Sequence, residues 1–374
     1  MRLIAFYLPQ YHAIPENDRW WGKGFTEWTN VKRATPLFEG HEQPRVPEGG
    51  NYYCLLDADN ATLRRQSALA NASGVYGFTF YHYWYCGKKL LEKPVENFLA
   101  DQSIDTNFCL CWANHDWTNG WVSRESKILL KQTYGTEQDW LEHFNYMLPY
   151  FRDGRYIHEN GKPLFILYKP ELCDCLNEML LFFDSQARRA GLPGLQFAFM
   201  SEHRVGPDVE AALDQRILRI LFQPTTAISN LTRKRRVIGL LSRVKQSLAN
   251  NRLVKVPGWL LDVRGAQVKR VDYDAVWREI LSLPGEKGTI PGAFSGWDNT
   301  PRRGRRGSVV TGDSPEKFEH YLGQLIEKAE GEYETDMIFI NAWNEWGEGC
   351  YLEPDERFRD GYLRAIRNCL TREN

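Results

Sequence analysis

The 374 residues carry 47 Lys and Arg against 48 Asp and Glu, a formal net charge of -1, so no partner held by bulk charge, nucleic acid included, is expected. At 43% hydrophobic the chain can bury a large core, and its length admits two ordinary domains or one large barrel. The 13 Trp, 18 Tyr and 19 Phe often fall beside polar residues, a composition suited to stacking on sugar rings while hydrogen-bonding their hydroxyls.

The opening run Met1-Arg2-Leu3-Ile4-Ala5-Phe6-Tyr7-Leu8-Pro9 is too short for a secretory signal and lacks a small-residue cleavage site. It reads as a first strand, and a cytoplasmic protein is expected. No apolar run approaches the roughly 20 residues that span a bilayer. Short β-rich apolar runs predict strands at 3–7, 76–81, 107–112, 164–168, 196–200, 217–222, 289–294 and 337–342. Helical patterns follow them at 60–72, 90–100, 137–151, 176–190, 208–213, 273–283, 315–329 and 356–370. Eight strands alternating with eight helices predict an α/β fold, a single (β/α)8 TIM-type barrel over residues 1–374. An open doubly wound sheet binding a nucleotide would carry a Gly-rich first turn, which Leu8-Pro9-Gln10-Tyr11-His12 does not resemble. Two excursions are expected: a long loop after the first strand, over 9–59, and a basic helical insert, residues 225–270, after the sixth.

In such a barrel the residues just after each strand line the catalytic face. They are rich in aromatic and charged types: Tyr7, Gln10, Tyr11 and His12; His82, Tyr83 and Trp84; Trp112, Asn114, Asp116 and Trp117; Trp297 and Asp298; Trp343, Asn344 and Trp346. All are candidate substrate-binding residues. Trp21, Glu27 and Trp28 in the long first loop join them, and that loop is expected to form a lid or substrate wall.

Glu345 and Glu348 are the candidate catalytic pair. Cleaving a glycosidic bond requires one carboxyl to protonate the leaving oxygen and another to act as base or nucleophile. Three residues apart on helix-like backbone, both carboxylates face one side, and Trp343 and Trp346 are expected to be the apolar walls that raise the proton affinity of one acid. The competing reading makes Asn344 a helix cap with two favourable first-turn charges. Asp57-Ala58-Asp59 and Asp272-Tyr273-Asp274 match the loose D-x-D of metal-dependent transferases, but both precede helical patterns and read as caps. The eight Cys lack paired C-x-x-C spacing, so core thiols are expected and neither a metal nor any other cofactor. Between Asp214 and Asp262 there is no acid, and Val237, Leu241, Val244 and Leu248 share one face of a basic helix. That helix is expected to rest on an anionic membrane surface, peripheral to the inner membrane, or near the diphosphate of a lipid-linked oligosaccharide, or else to form a solvated face packed on the barrel. Arg302-Arg303-Gly304-Arg305-Arg306 is a second basic loop, fit to meet an acidic sugar or phosphate or simply exposed.

Several motifs together resemble the WbsX-type family of bacterial surface-polysaccharide biosynthesis proteins. They are 5–12, 21–31, Cys111-Trp112-Ala113-Asn114 with Trp117-Thr118, and 341–349 with Leu352-Glu353-Pro354. That family is similar in turn to glycoside hydrolase family 99, endo-α-mannosidases and endo-α-mannanases. The resemblance implies a barrel acting on an oligosaccharide or polysaccharide, lipid-linked forms included. It also implies Glu345 as the base that deprotonates the substrate's own 2-hydroxyl and Glu348 as acid/base on the leaving oxygen, a retaining route. Where family 99 often has His between the two acids, this chain has Gly347. The alternatives are a glycosyltransferase using a nucleotide- or lipid-activated donor and a carbohydrate-binding protein without turnover.

Overall fold

A computed structural model describes residues 1–119, 127–221, 226–231 and 268–371. Its centre is a parallel sheet whose strands we label β1 to β8 in chain order: Arg2–Tyr7, Val75–Tyr85, Asn107–Trp112, Lys162–Leu167, Gln196–Phe199, Leu218–Ile220, a seventh in two pieces, and Met337–Asn341. The pieces of β7 are Thr289–Ile290, which pairs with β6, and Gly292–Phe294, which pairs with β8. Pro291 stands between them and has no N–H to give the ladder, which is why one strand appears as two. Its carbonyl still accepts the Phe339 N–H at 3.2 Å. With β1 paired to both β2 and β8, the sheet returns on itself as an eight-stranded barrel.

The strands are near-continuous apolar runs because both faces are covered: Leu3, Ile4, Ala5, Phe6 and Tyr7 of β1 are all buried, as are Met337 to Asn341 of β8. Helices Ala61–Ser73, Lys93–Ala100, Glu137–Phe151, Leu176–Arg189, Pro207–Leu213, Tyr273–Leu281, Pro315–Lys328 and Gly361–Thr371 follow the strands in turn. Two D-x-D segments are helix caps. Asp57 accepts from the Thr62 N–H and hydroxyl, and Asp272 from the Ala275 N–H. All eight cysteines are free, and Cys109 and Cys111 are buried on β3.

Two expectations change. The strand predicted at 76–81 runs on to Tyr85 and turns back as a hairpin with Lys88–Leu90. The long first loop, expected as a lid or substrate wall, contains two short helices, Pro15–Trp21 and Glu27–Arg33, and part of it folds inward. Its Trp28, Val31, Tyr53 and Leu55 are buried in the main core, because that end of the barrel needs an apolar cover. The basic helix carrying Val237, Leu241, Val244 and Leu248 lies outside the described residues. Among the described residues, no helix is long and apolar enough to cross a membrane.

Candidate functional site

At the C-terminal ends of the strands a cavity of about 1100 Å³ opens, and Glu345 and Glu348 both line it. β8 ends at Asn341, and the chain then makes a tight hairpin in which Asn344–Glu345 pairs antiparallel with Cys350–Tyr351 around the 3-10 turn Trp346–Glu348. Gly349 closes it with φ 57°, a left-handed conformation favouring glycine, and a Cβ there would meet the Asp298 backbone nitrogen at 3.0 Å. Asn344 does not cap a helix. Its amide side chain accepts from the Leu8 N–H at 2.7 Å and donates to the Leu8 carbonyl at 3.1 Å, joining the ends of β1 and β8. The Tyr11 hydroxyl donates to the Asn344 carbonyl and accepts from the Trp346 N–H.

This hairpin sends alternate side chains to opposite sides. Trp346 is fully buried, stacked on Tyr351 and tied through Nε1 to Glu353 at 2.7 Å. Glu353 also accepts from Tyr53 and Gln66, so it is a fixed post for the indole. Glu345 and Glu348 point instead at one guanidinium. Arg302 donates through Nη2 to Glu345 at 2.9 Å and through Nη1 to Glu348 at 2.8 Å. Its Nε donates at 2.8 Å to Glu27, which the first loop brings in and which is wholly buried. Three carboxylates and one cation thus form the cavity floor. The second oxygen of Glu27 has no hydrogen-bond partner among the described residues.

The electrostatics follow from that count. Burial raises the Glu345 pKa to about 8; Arg302 opposes this, while Glu348 and Glu27 add to it. Burial also works against the charged form of Arg302, but the three acids outweigh it and hold the guanidinium firmly charged. Gly347 is the spacer that permits the cluster: a Cβ there would lie 1.8 Å from Glu27 Oε1 and 2.8 Å from Arg302 Nε. A side chain at position 347 would therefore displace the Glu27–Arg302 pair.

Arg302 is the residue that sequence reasoning missed. Its segment reads as an exposed basic loop, and Arg303, Arg305 and Arg306 are indeed exposed. Only the short helix Thr300–Arg303 turns Arg302 inward. Asp298, expected to touch substrate, caps that helix instead, accepting from the Thr300 N–H and hydroxyl at 3.0 and 2.6 Å. It is buried and fixed by His41 Nε2 at 2.7 Å and Gln43 at 2.6 Å. Because His41 Nδ1 accepts from the Leu37 N–H, the ring donates to Asp298 through Nε2. Burial pushes the Asp298 pKa up, but these hydrogen bonds outweigh it and hold the group below the usual carboxylate range.

Of the other expected substrate contacts, Gln10, Tyr83, Asp116, Trp117 and Trp297 line the cavity. The apolar walls beside the two acids are therefore not Trp343 and Trp346. Tyr81, Tyr134 and Tyr168, not singled out from sequence, line it as well. Tyr7, Tyr11, His12, Trp28, His82, Trp84, Trp112, Asn114 and Trp343 are buried elsewhere. Tyr7 donates to Gln66, and Trp28 donates to the Tyr53 carbonyl. His82 meets His143 at 2.8 Å beneath Trp84, and burial lowers its pKa to about 3. Trp112 donates to the Trp84 carbonyl, and Trp343 packs on Phe78. Burial likewise lowers the His12 pKa to about 4. Trp21 packs on Phe25 away from the cavity. These aromatic side chains miss the cavity because their strand and loop positions alternate, and the inward-facing ones fill the core.

A closed parallel barrel with clustered acids at its C-terminal face is the architecture of many enzymes that act on glycans. The chain belongs to the WbsX glycosyltransferase family, whose model matches residues 3–366, and so to a carbohydrate-active class. Uncharacterized protein WxcX from Xanthomonas campestris pv. campestris is 36% identical over 373 residues in strain ATCC 33913 and in strain B100. The match takes in 99% of this chain and 50% of each relative, so the chain spans about half the length of the curated relatives it matches. A GH99 endo-alpha-mannosidase from Bacteroides thetaiotaomicron superimposes with a TM-score of 0.55 at 15% identity, covering 99% of this chain and 97% of that one. A glycoside hydrolase-like protein gives 0.55 at 13% identity, over 98% and 93% of the two chains. At such identities the likeness is one of fold.

Proposed function

We propose that this protein is a retaining enzyme that cleaves or transfers a glycosidic linkage in bacterial surface-polysaccharide metabolism, with Glu345 and Glu348 as its catalytic pair. The observation that carries this is the convergence of both carboxylates on Arg302 at the floor of an aromatic-walled cavity. Two acids bound to one guanidinium lie close together on one side of the site. That arrangement suits substrate-assisted chemistry, in which the sugar's own 2-hydroxyl is the nucleophile and no carboxylate is needed across the ring.

In this reading Glu345 takes the 2-hydroxyl proton, and Glu348, with 24% of its side chain exposed, serves the leaving oxygen. A base at a sugar hydroxyl needs unusual proton affinity, and burial gives Glu345 a pKa of about 8. Substrate entry would draw Arg302 off the pair or share it, freeing both acids. Trp117 and Trp297 offer faces for the pyranose ring.

The test is turnover of lipid-linked and free oligosaccharides, followed by mass spectrometry, in wild type, Glu345→Gln and Glu348→Gln. Each variant is expected to lose about 10²- to 10⁴-fold in rate. Wild-type turnover in both removes the site assignment. Product that grows only when a sugar nucleotide is supplied assigns the transferase reaction that the family's description names. Activity rising with pH toward about 8 supports Glu345 as base, and a profile falling there exchanges the two roles.

A further inference from the structure

The cavity floor sets three carboxylates around one cation, whereas its walls carry the opposite sign. Besides Arg302, the cavity is lined by Lys131, Lys169, Lys269 and Arg303, and beyond the floor pair its other carboxylate is Asp116. Asp116 is engaged by the Gln132 N–H at 2.6 Å. None of the four wall cations has an ion-pair partner among the described residues. They come from separate segments: after the short strand Ile128–Leu130, after β4, at the start of Lys269–Asp272, and at the end of Thr300–Arg303.

Chance solvation of lysines is the plain explanation for exposed cations, and two observations argue against it. The chain as a whole is balanced at -1, and elsewhere its cations commonly meet carboxylates, as Arg2, Arg155 and Arg219 do. Four unpaired cations around one cavity are thus a local departure. Further, the backbone that carries two of them is fixed. The fully buried Asn114 accepts from the Lys169 N–H and donates to the Lys169 carbonyl, both at 2.7 Å. Lys269 pairs in register with Ser308, whose hydroxyl accepts from the Trp297 indole at 3.0 Å. The cation-bearing backbone and an aromatic wall are therefore built together.

We infer that the cavity takes an anionic glycan, one whose sugar carries a phosphate or carboxylate group that Lys131, Lys169, Lys269 and Arg303 neutralise. A neutral glycan would cover four like charges without offering a counter-charge, leaving their mutual repulsion unrelieved. An anion relieves that repulsion and gains charge-assisted hydrogen bonds. The inference rests on the reading of this cavity as the glycan site and narrows its substrate class.

Calorimetric titration of pyrophosphate, glucuronate and glucose at low salt tests it, with wild type, Lys169→Ala, Lys169→Ala/Lys269→Ala and Glu345→Gln. At least one anion is expected to bind tenfold or more tightly than glucose, to weaken roughly tenfold for each lysine removed, and to weaken further with added salt. Preference for pyrophosphate identifies a phosphorylated sugar, and preference for glucuronate identifies a uronate. If neither anion binds better than glucose, or the double variant with a wild-type circular dichroism spectrum binds like wild type, the inference is overturned. Anion affinity is read without turnover, so the two proposals fail separately. Lysine-dependent binding beside a fully active Glu345→Gln removes only the catalytic assignment, and inactive Glu variants without anion preference remove only this one.

Discussion

The floor and the walls of the cavity handle charge in opposite ways. On the floor, Arg302 is partnered on all three of its donor nitrogens by Glu27, Glu345 and Glu348, out of solvent. On the walls, four cations stand without carboxylates among the described residues, partly or fully exposed. Burial explains the difference. A buried charge must be neutralised within the protein, whereas a wall lysine is solvated by water until a ligand arrives. In the proposed function the floor is a structural element that substrate must loosen, and in the inference drawn from the walls they form a binding surface that costs the fold little.

The comparison is broken most directly by removing Arg302. Arg302→Ala leaves three carboxylates around one buried point and is expected to destabilise the protein by about 3–5 kcal/mol, read from urea midpoints. The loss should be greater at pH 9 than at pH 5, where protonation relieves the repulsion. An equal loss at both would show that the guanidinium is held by packing and not by charge. Lys169→Ala, by contrast, should change stability within about 0.5 kcal/mol.

Gly347→Ala comes next. The new methyl would press on Glu27 and Arg302, so a destabilisation of about 1–3 kcal/mol is expected, with smaller loss when Glu27→Ala is added. Additive losses would mean that the cluster does not fill the space at Gly347.

The pH dependence of stability sharpens the comparison further. Glu345 has a pKa of about 8 in the folded protein against 4.5 for the free group, so between those values the native state holds a proton that the unfolded chain has released. Its contribution is complete below about pH 4.5 and is lost as pH rises through 8. Glu345→Gln should therefore flatten the fall in denaturation midpoint between pH 5 and 9. An unchanged slope would place the titration elsewhere.

Much of this was legible in the sequence. Strand 107–112 and helix 137–151 match the structure residue for residue, because apolar period and cap chemistry agree there: Thr136 and Asp139 form a capping box. The placement of Glu345 and Glu348 after the last strand followed from the same local pattern. Which tryptophans face the cavity did not, since Trp346 and Glu345 are neighbours in the chain and part company only when the hairpin to Cys350–Tyr351 forms. Nor did Arg302 stand out among four arginines in five residues.

The chain by itself determined the eightfold alternation, the two acids of the final strand end and the family they belong to, because periodicity and motif are local properties. Only the tertiary structure decided that Arg302 gathers those acids with Glu27, that Asp298 serves the helix carrying Arg302, and that four cations share one hollow with them. Arg302 and Glu27 lie 275 residues apart in sequence and come within hydrogen-bonding reach only once the barrel has closed.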